Sequence, residues 1–115
     1  IDLGTHSSDS CDYPDIADKM SESVLKGEAD LGILICGTGI GISIAANRHK
    51  GIRAAILYDD FTAEMARLHN NANIMVFGGR TMPFEDVARR IDIFLKTRYE
   101  GGRHQRRLDK LDEDK

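Results

Sequence analysis

The run Leu31-Gly-Ile-Leu-Ile-Cys-Gly-Thr-Gly-Ile-Gly-Ile-Ser-Ile-Ala-Ala-Asn47 constrains the fold more than any other part of the chain. An apolar strand ends in a cysteine, Gly37, Gly39 and Gly41 follow, and an apolar helix starts at once. A strand that is continuously apolar is buried on both faces, as in a parallel sheet covered by helices. Glycines at alternate positions let backbone N–H groups turn inward. The helix adds its unpaired N-terminal donors and the positive end of its dipole. The predicted result is an anion cradle. Cys36 stands at its lip, where the same donors would hold a thiolate. A base beside an anion hole points to chemistry through an oxyanion.

Strand and helix signals alternate along the rest of the chain. Ile1–Leu3 reads as the tail of a strand. Tyr13-Pro-Asp-Ile-Ala opens a helix with Ile16, Ala17, Met20 and Val24 at helical spacing and Gly27 as its stop. Strands are predicted at 31–35, 52–57 and 74–77, and helices at 40–47, from Asp59 or Asp60 to about His69, and over 83–96. The last of these carries Phe84, Val87, Ala88, Ile91, Phe94 and Leu95 on one face. The fold class is therefore α/β, a doubly wound (Rossmann-like) parallel sheet in three αβα layers. A sheet of this kind rarely begins with three residues of strand, so a first strand and helix are expected to be missing ahead of Ile1. The polar tail from Gly101 is expected to reach away from the core.

At 115 residues and 41% hydrophobic content, one domain with one core is expected, covering 1–115. A net charge of −3 gives no general attraction to nucleic acid or to anionic membranes. No apolar stretch is long enough to span a bilayer, and no secretory signal is visible at the start. Cys11 and Cys36, without metal-type spacing, fit a reduced cytoplasmic protein better than a disulfide scaffold.

Each candidate residue has an ordinary reading beside the functional one. Cys36 could be a small buried hydrophobe, but the carboxyl end of a parallel strand is where ligands bind in open α/β sheets. Three glycines in five residues exceed what a tight turn needs and favour a ligand approaching closely. His69, Asn70 and Asn71 close a helix, where asparagine is a common cap and histidine complements the dipole; alone, that structural reading wins. Arg80 follows Gly78-Gly79 at a strand end. Arg103 and Arg107 stand four apart, on one face if helical, and suit one small phosphate. Asp109, Asp112, Glu113 and Asp114 cancel most polyanion attraction of that basic run. His104 and Arg106 read as structural or surface residues. A dinucleotide-binding fingerprint from Gly37, Gly39 and Asp59 is a weak rival, since its third glycine would fall at Ile42.

Four separated motifs resemble type B ribose-5-phosphate isomerases and cover essentially the whole chain. They are Ile33-Leu-Ile-Cys-Gly-Thr-Gly-Ile-Gly-Ile-Ser-Ile-Ala-Ala-Asn47, Gly51-Ile-Arg-Ala-Ala, His69-Asn70 and Glu100-Gly-Gly-Arg-His-Gln-Arg-Arg107, with Asp2-Leu-Gly-Thr and Asp12-Tyr-Pro matching as well. The resemblance implies an aldose–ketose isomerase of the non-oxidative pentose phosphate pathway, working through an enediolate without metal or cofactor. It implies Cys36, His69 and Thr38 as catalytic positions: Cys36 as the base between carbons 1 and 2, His69 as the ring-opening acid/base. Gly37, Thr38, Gly39, Ile40 and Gly41 are implied as the enediolate cradle, Asn70 as a substrate contact, and Arg80, Arg103 and Arg107 as phosphate-binding. It further implies a homodimer or tetramer with a shared site; the 100–115 tail, with Leu108 and Leu111 as a small anchor and no long apolar periodicity, is expected to dock on a partner subunit. The Asp-His pair that ends the family's first strand has no counterpart here. Galactose-6-phosphate or allose-6-phosphate isomerase, and a non-catalytic sugar-phosphate or nucleotide-binding module, are the alternative readings.

Overall fold

The computed structural model describes residues 1–5, 7, 9 and 11–113; Asp114, counted above with the acidic tail, lies outside them. Eight elements follow in order: α1 (Tyr13–Leu25), β1 (Gly32–Cys36), α2 (Ile40–Ala46), β2 (Ala54–Ile56), α3 (Asp60–Leu68), β3 (Ile74–Gly78), α4 (Phe84–Lys96) and α5 (Arg103–Leu111). The strands form one parallel sheet in the order β1-β3-β2, with Gly32 and Ala54 both opposite Ile74, and Cys36 opposite Gly78. The expected Rossmann-like α/β fold is present. Ile1–Leu3, expected as strand, carries none, and Ile1 is fully open to solvent.

Two apolar clusters divide at the sheet. On one face Ala17 from α1 and Ile42 and Ala46 from α2 pack on Leu34, Ile74 and Val76. On the other, Ala63 and Ala66 from α3 and Phe94 from α4 pack on Leu57, Met75 and Phe77. The central strand β3 is buried along its whole length, which is why Ile74-Met-Val-Phe-Gly78 is apolar without alternation. Complete burial of Phe77 and of Phe94 contributes about 1.5–3 kcal/mol each. β1 is different. Leu34 is buried, but Ile33 and Ile35 on the opposite face of this edge strand are exposed. The expectation of cover on both faces therefore holds for β3 and fails at β1.

Local chemistry sets the boundaries. Pro14 sits in the first turn of α1, where its missing N–H costs nothing, and Gly27 follows the helix at φ +77°. Asp59 caps α3 in a reciprocal box: Thr62 N–H donates to Asp59 Oδ1 at 2.7 Å, and Asp59 N–H donates to Thr62 Oγ1 at 3.2 Å. The tail does not reach away. Residues 103–111 are helical, Leu108 is buried, Glu100 N–H donates to Leu68 O at 2.9 Å, and Arg53 pairs with Asp112 at 3.4 Å. One leucine and two polar anchors, rather than a long apolar stripe, hold it. None of the helices among the described residues is long and apolar enough to cross a membrane.

Candidate active site

The connection after β1 leads into α2 on one face of the sheet, and the connection after the neighbouring β3 leads into α4 on the other. Adjacent parallel strands whose crossovers part in this way open a crevice at their carboxyl ends, the usual ligand position in doubly wound sheets. Cys36 ends β1 at that crevice. Gly39 N–H donates to its sulfur at 3.3 Å, and both cysteines are free thiols, Cys11 exposed and Cys36 half-buried. Two backbone bonds close the crevice floor: Gly79 N–H to Cys36 O at 2.8 Å and Arg80 N–H to Gly37 O at 2.9 Å. The exposed Thr38 turns its hydroxyl back to accept from Ile40 N–H at 3.2 Å.

The three loop glycines each face another part of the protein. A Cβ on Gly37 would stand 3.4–3.5 Å from the Arg80 side chain, which lies over the loop. Gly39 takes φ +85°, and its Cβ would stand 3.2 Å from the Phe77 backbone. A Cβ on Gly41 would come within 2.6 Å of the Tyr13 ring. Internal packing therefore asks for glycine at 39 and, less strictly, at 41, where the neighbour is a side chain; at 37 a Cβ would make only ordinary contact. Tyr13 is the residue to which sequence reasoning gave no place at this end, although Asp12-Tyr-Pro is among the matching motifs.

His69, Asn70, Arg103 and Arg107 are elsewhere. His69 follows α3, just ahead of Ala72 and the amino end of β3, whereas Cys36 lies at the carboxyl end of β1. Four residue steps of strand separate the two levels, about 13 Å at 3.3 Å per residue. Cys36, Thr38 and Arg80 form one group, and His69, Asn70 and the α5 arginines another. The His69 ring stacks on His104 with centroids 4.2 Å apart and planes 18° off parallel. Each Nε2 lies 3.7 Å from the same oxygen of Glu100. Burial, followed by the charge of His69, holds the His104 imidazole below its ordinary value and so favours the neutral ring. Arg103 and Arg107 act on it in the same direction, and Arg107 Nη1 donates to Arg103 O at 3.3 Å. His104, read above as structural or surface, is thus in direct contact with a predicted site residue. Asn70 lines a cleft of about 380 Å³ with Asn47, Arg53 and Leu111.

The ribose/galactose isomerase family model matches residues 1–111. The chain belongs to the ribose/galactose isomerase family. Ribose-5-phosphate isomerase B of Escherichia coli is 47% identical over 111 residues, 96% of this chain and 74% of that protein. Among solved structures, ribose-5-phosphate isomerase B of Clostridium thermocellum superposes with a TM-score of 0.95 at 48% identity, over 97% of this chain and 76% of that one. The enzyme from Mycoplasma genitalium, solved with bound ribulose 5-phosphate, gives 0.92 at 45% identity, over 97% and 75%. This member of the ribose/galactose isomerase family thus spans about three quarters of the length of these relatives.

Proposed function

We propose that this chain is an aldose–ketose isomerase that interconverts ribose 5-phosphate and ribulose 5-phosphate through an enediolate. The observation that carries the reading is the Gly39 amide on the Cys36 sulfur at the crevice of the sheet. A potential base is held by a loop amide at the end of β1, in a chain 45% identical to an isomerase solved with ribulose 5-phosphate. Cys36 takes the proton from C2 of the open-chain aldose. The C2–H electron pair forms the C1–C2 double bond, and the carbonyl electrons move to O1. Return of a proton to C1, with transfer of the O2 proton to O1, leaves a carbonyl at C2 and a hydroxymethyl group at C1. The loop from Gly37 to Gly41, with Thr38, holds the oxyanion; preorganised donors of this kind typically contribute more to such catalysis than any other single effect.

His69 opens the furanose by moving a proton from the anomeric hydroxyl to the ring oxygen, and Asn70 contacts the sugar. Arg80, Arg103 and Arg107 bind the phosphate. Because the Cys36 and His69 groups face opposite ends of the sheet, the working unit is a homodimer. In it, the carboxyl end of one chain meets His69 and the residue 100–115 tail of its partner. Ile40, Tyr58 and Phe61, at or just after the carboxyl ends of the strands, and Ile44 farther along α2 are 53–66% exposed and give that meeting an apolar surface.

Turnover of ribose 5-phosphate, with Cys36→Ser as control, tests the reading. The serine variant loses isomerisation while binding substrate within about tenfold of the unchanged protein, because only proton transfer lacks its base. Near-normal turnover by the serine variant removes Cys36 from the mechanism.

A further inference from the structure

We infer that His69, Glu100 and His104 form a binding site for a divalent transition ion of the zinc class, and that an ion held there blocks isomerisation by occupying His69. The blocking step rests on the role proposed for His69; the site itself does not. Both imidazole Nε2 atoms converge on one carboxylate oxygen of Glu100, each at 3.7 Å. One ligand atom from each of the three side chains lies within 4.8 Å of the other two. A tetrahedral zinc ion with bonds of about 2.0–2.1 Å spaces its donors by about 3.3–3.4 Å. Two of the three pairs are thus within a few tenths of an ångström of that spacing. The third closes when the stacked rings splay about their Cβ–Cγ bonds.

His104 supplies the second reason. Its Nε2 is buried and has no hydrogen-bond partner, while the ring is only 11% exposed. A buried polar nitrogen without a partner is unfavourable and, in the tautomer protonated at Nδ1, would gain from a metal ligand. Two imidazoles and a carboxylate are a donor set that suits zinc, with a fourth position left for water. The His69 side chain is 35% exposed, which provides an entry path. The neighbouring Arg103 and Arg107 oppose a cation, and the Glu100 carboxylate offsets part of that. The expected result is a reversible, inhibitory site rather than a permanent structural one.

Zinc chloride titrated calorimetrically into the full chain at neutral pH is the test. One zinc ion per chain is expected, with His104→Ala and Glu100→Gln each weakening binding by at least about tenfold. His49→Ala is expected to leave it unchanged, since that ring pairs with Asp18 at 2.7 Å on another part of the surface. Turnover of ribose 5-phosphate falls over the same zinc range and returns on adding a chelator. Glu100→Gln is close to isosteric, so far-ultraviolet circular dichroism of this variant separates a lost ligand from a lost fold. Absence of saturable binding, or binding that survives both substitutions in folded protein, overturns the site. Binding that is lost with both substitutions yet leaves turnover untouched keeps the site and overturns the role of His69.

Discussion

At the scale of single residues, Cys36 owes its proposed role to position. A half-buried thiol at a strand end is ordinary; one whose sulfur accepts from Gly39 N–H at the mouth of an open crevice is placed to take a proton. The arginines invite a separate measurement. Arg107→Ala raises the Michaelis constant for the sugar phosphate, because a hydrogen bond between charged partners contributes about 1.5–3 kcal/mol. Free ribose, bound poorly, is expected to be indifferent to the change. Equal losses for phosphorylated and free sugar in a steady-state comparison remove Arg107 from phosphate binding. Cys36 and the arginines stand out because each breaks a local pattern, a cysteine before a glycine run and a basic pair at helical spacing; His69 comes only with the family resemblance, since alone its place at a helix end reads as structural. Tyr13 meets Gly41 and His104 meets His69 across long stretches of chain, and no local period encodes such contacts; Glu100, four residues before His104, is drawn in through that same stacked pair.

Elements are where the chain reads most directly. The buried β3 and the capped α3 follow from short-range rules, and their predicted boundaries differ from the structure by a residue or so. β2 is the exception, three residues long against an expected six, although backbone bonds from Leu57 N–H to Val76 O and from Ile74 N–H to Arg53 O carry its contact with β3 a residue further at each end. The tail also departs from expectation. A helix that is amphipathic but strongly polar, with one buried leucine, offers too little apolar surface to announce docking, yet Arg53 and Leu68 O supply its anchors. Two element-scale outcomes are expected. Gly39→Ala destabilises the protein by about 1–3 kcal/mol in chemical denaturation, since it forces a side chain onto φ +85° against the Phe77 backbone. Gly41→Ala is milder, because the exposed Tyr13 ring can swing aside; a loss as large as that for Gly39 contradicts this packing account. At α3 the Thr62 amide, then its hydroxyl, holds the Asp59 carboxyl below its ordinary value. A lowered folded value stabilises above the unfolded one and is lost as pH falls through it. Asp59→Ala therefore lowers the melting temperature at neutral pH, and the difference closes as the solution is taken below about pH 4. A pH-independent difference rules out the charged cap.

For the whole molecule, the two-ended distribution of site residues is the main consequence of the fold. Parallel strands put every βα connection at one end and every αβ connection at the other. Cys36 and Arg80 therefore cannot share an end with His69 and the residues that follow it. The order of elements along the chain already carries this, because Cys36 closes a strand and His69 closes a helix; which strands are neighbours comes only from the topology. The proposed isologous dimer would bring the two ends together in two equivalent sites, each drawn from both chains. The central claim is that Cys36 of one chain works with His69 of its partner, and subunit mixing tests it most directly. Cys36→Ser and His69→Ala proteins, each inactive alone, are unfolded or dissociated together and allowed to reassemble, with heterodimers counted by native mass spectrometry. A shared site predicts one intact site per heterodimer and recovery of about a quarter of normal activity at equal mixing. A mixture that holds heterodimers and stays inactive contradicts the account.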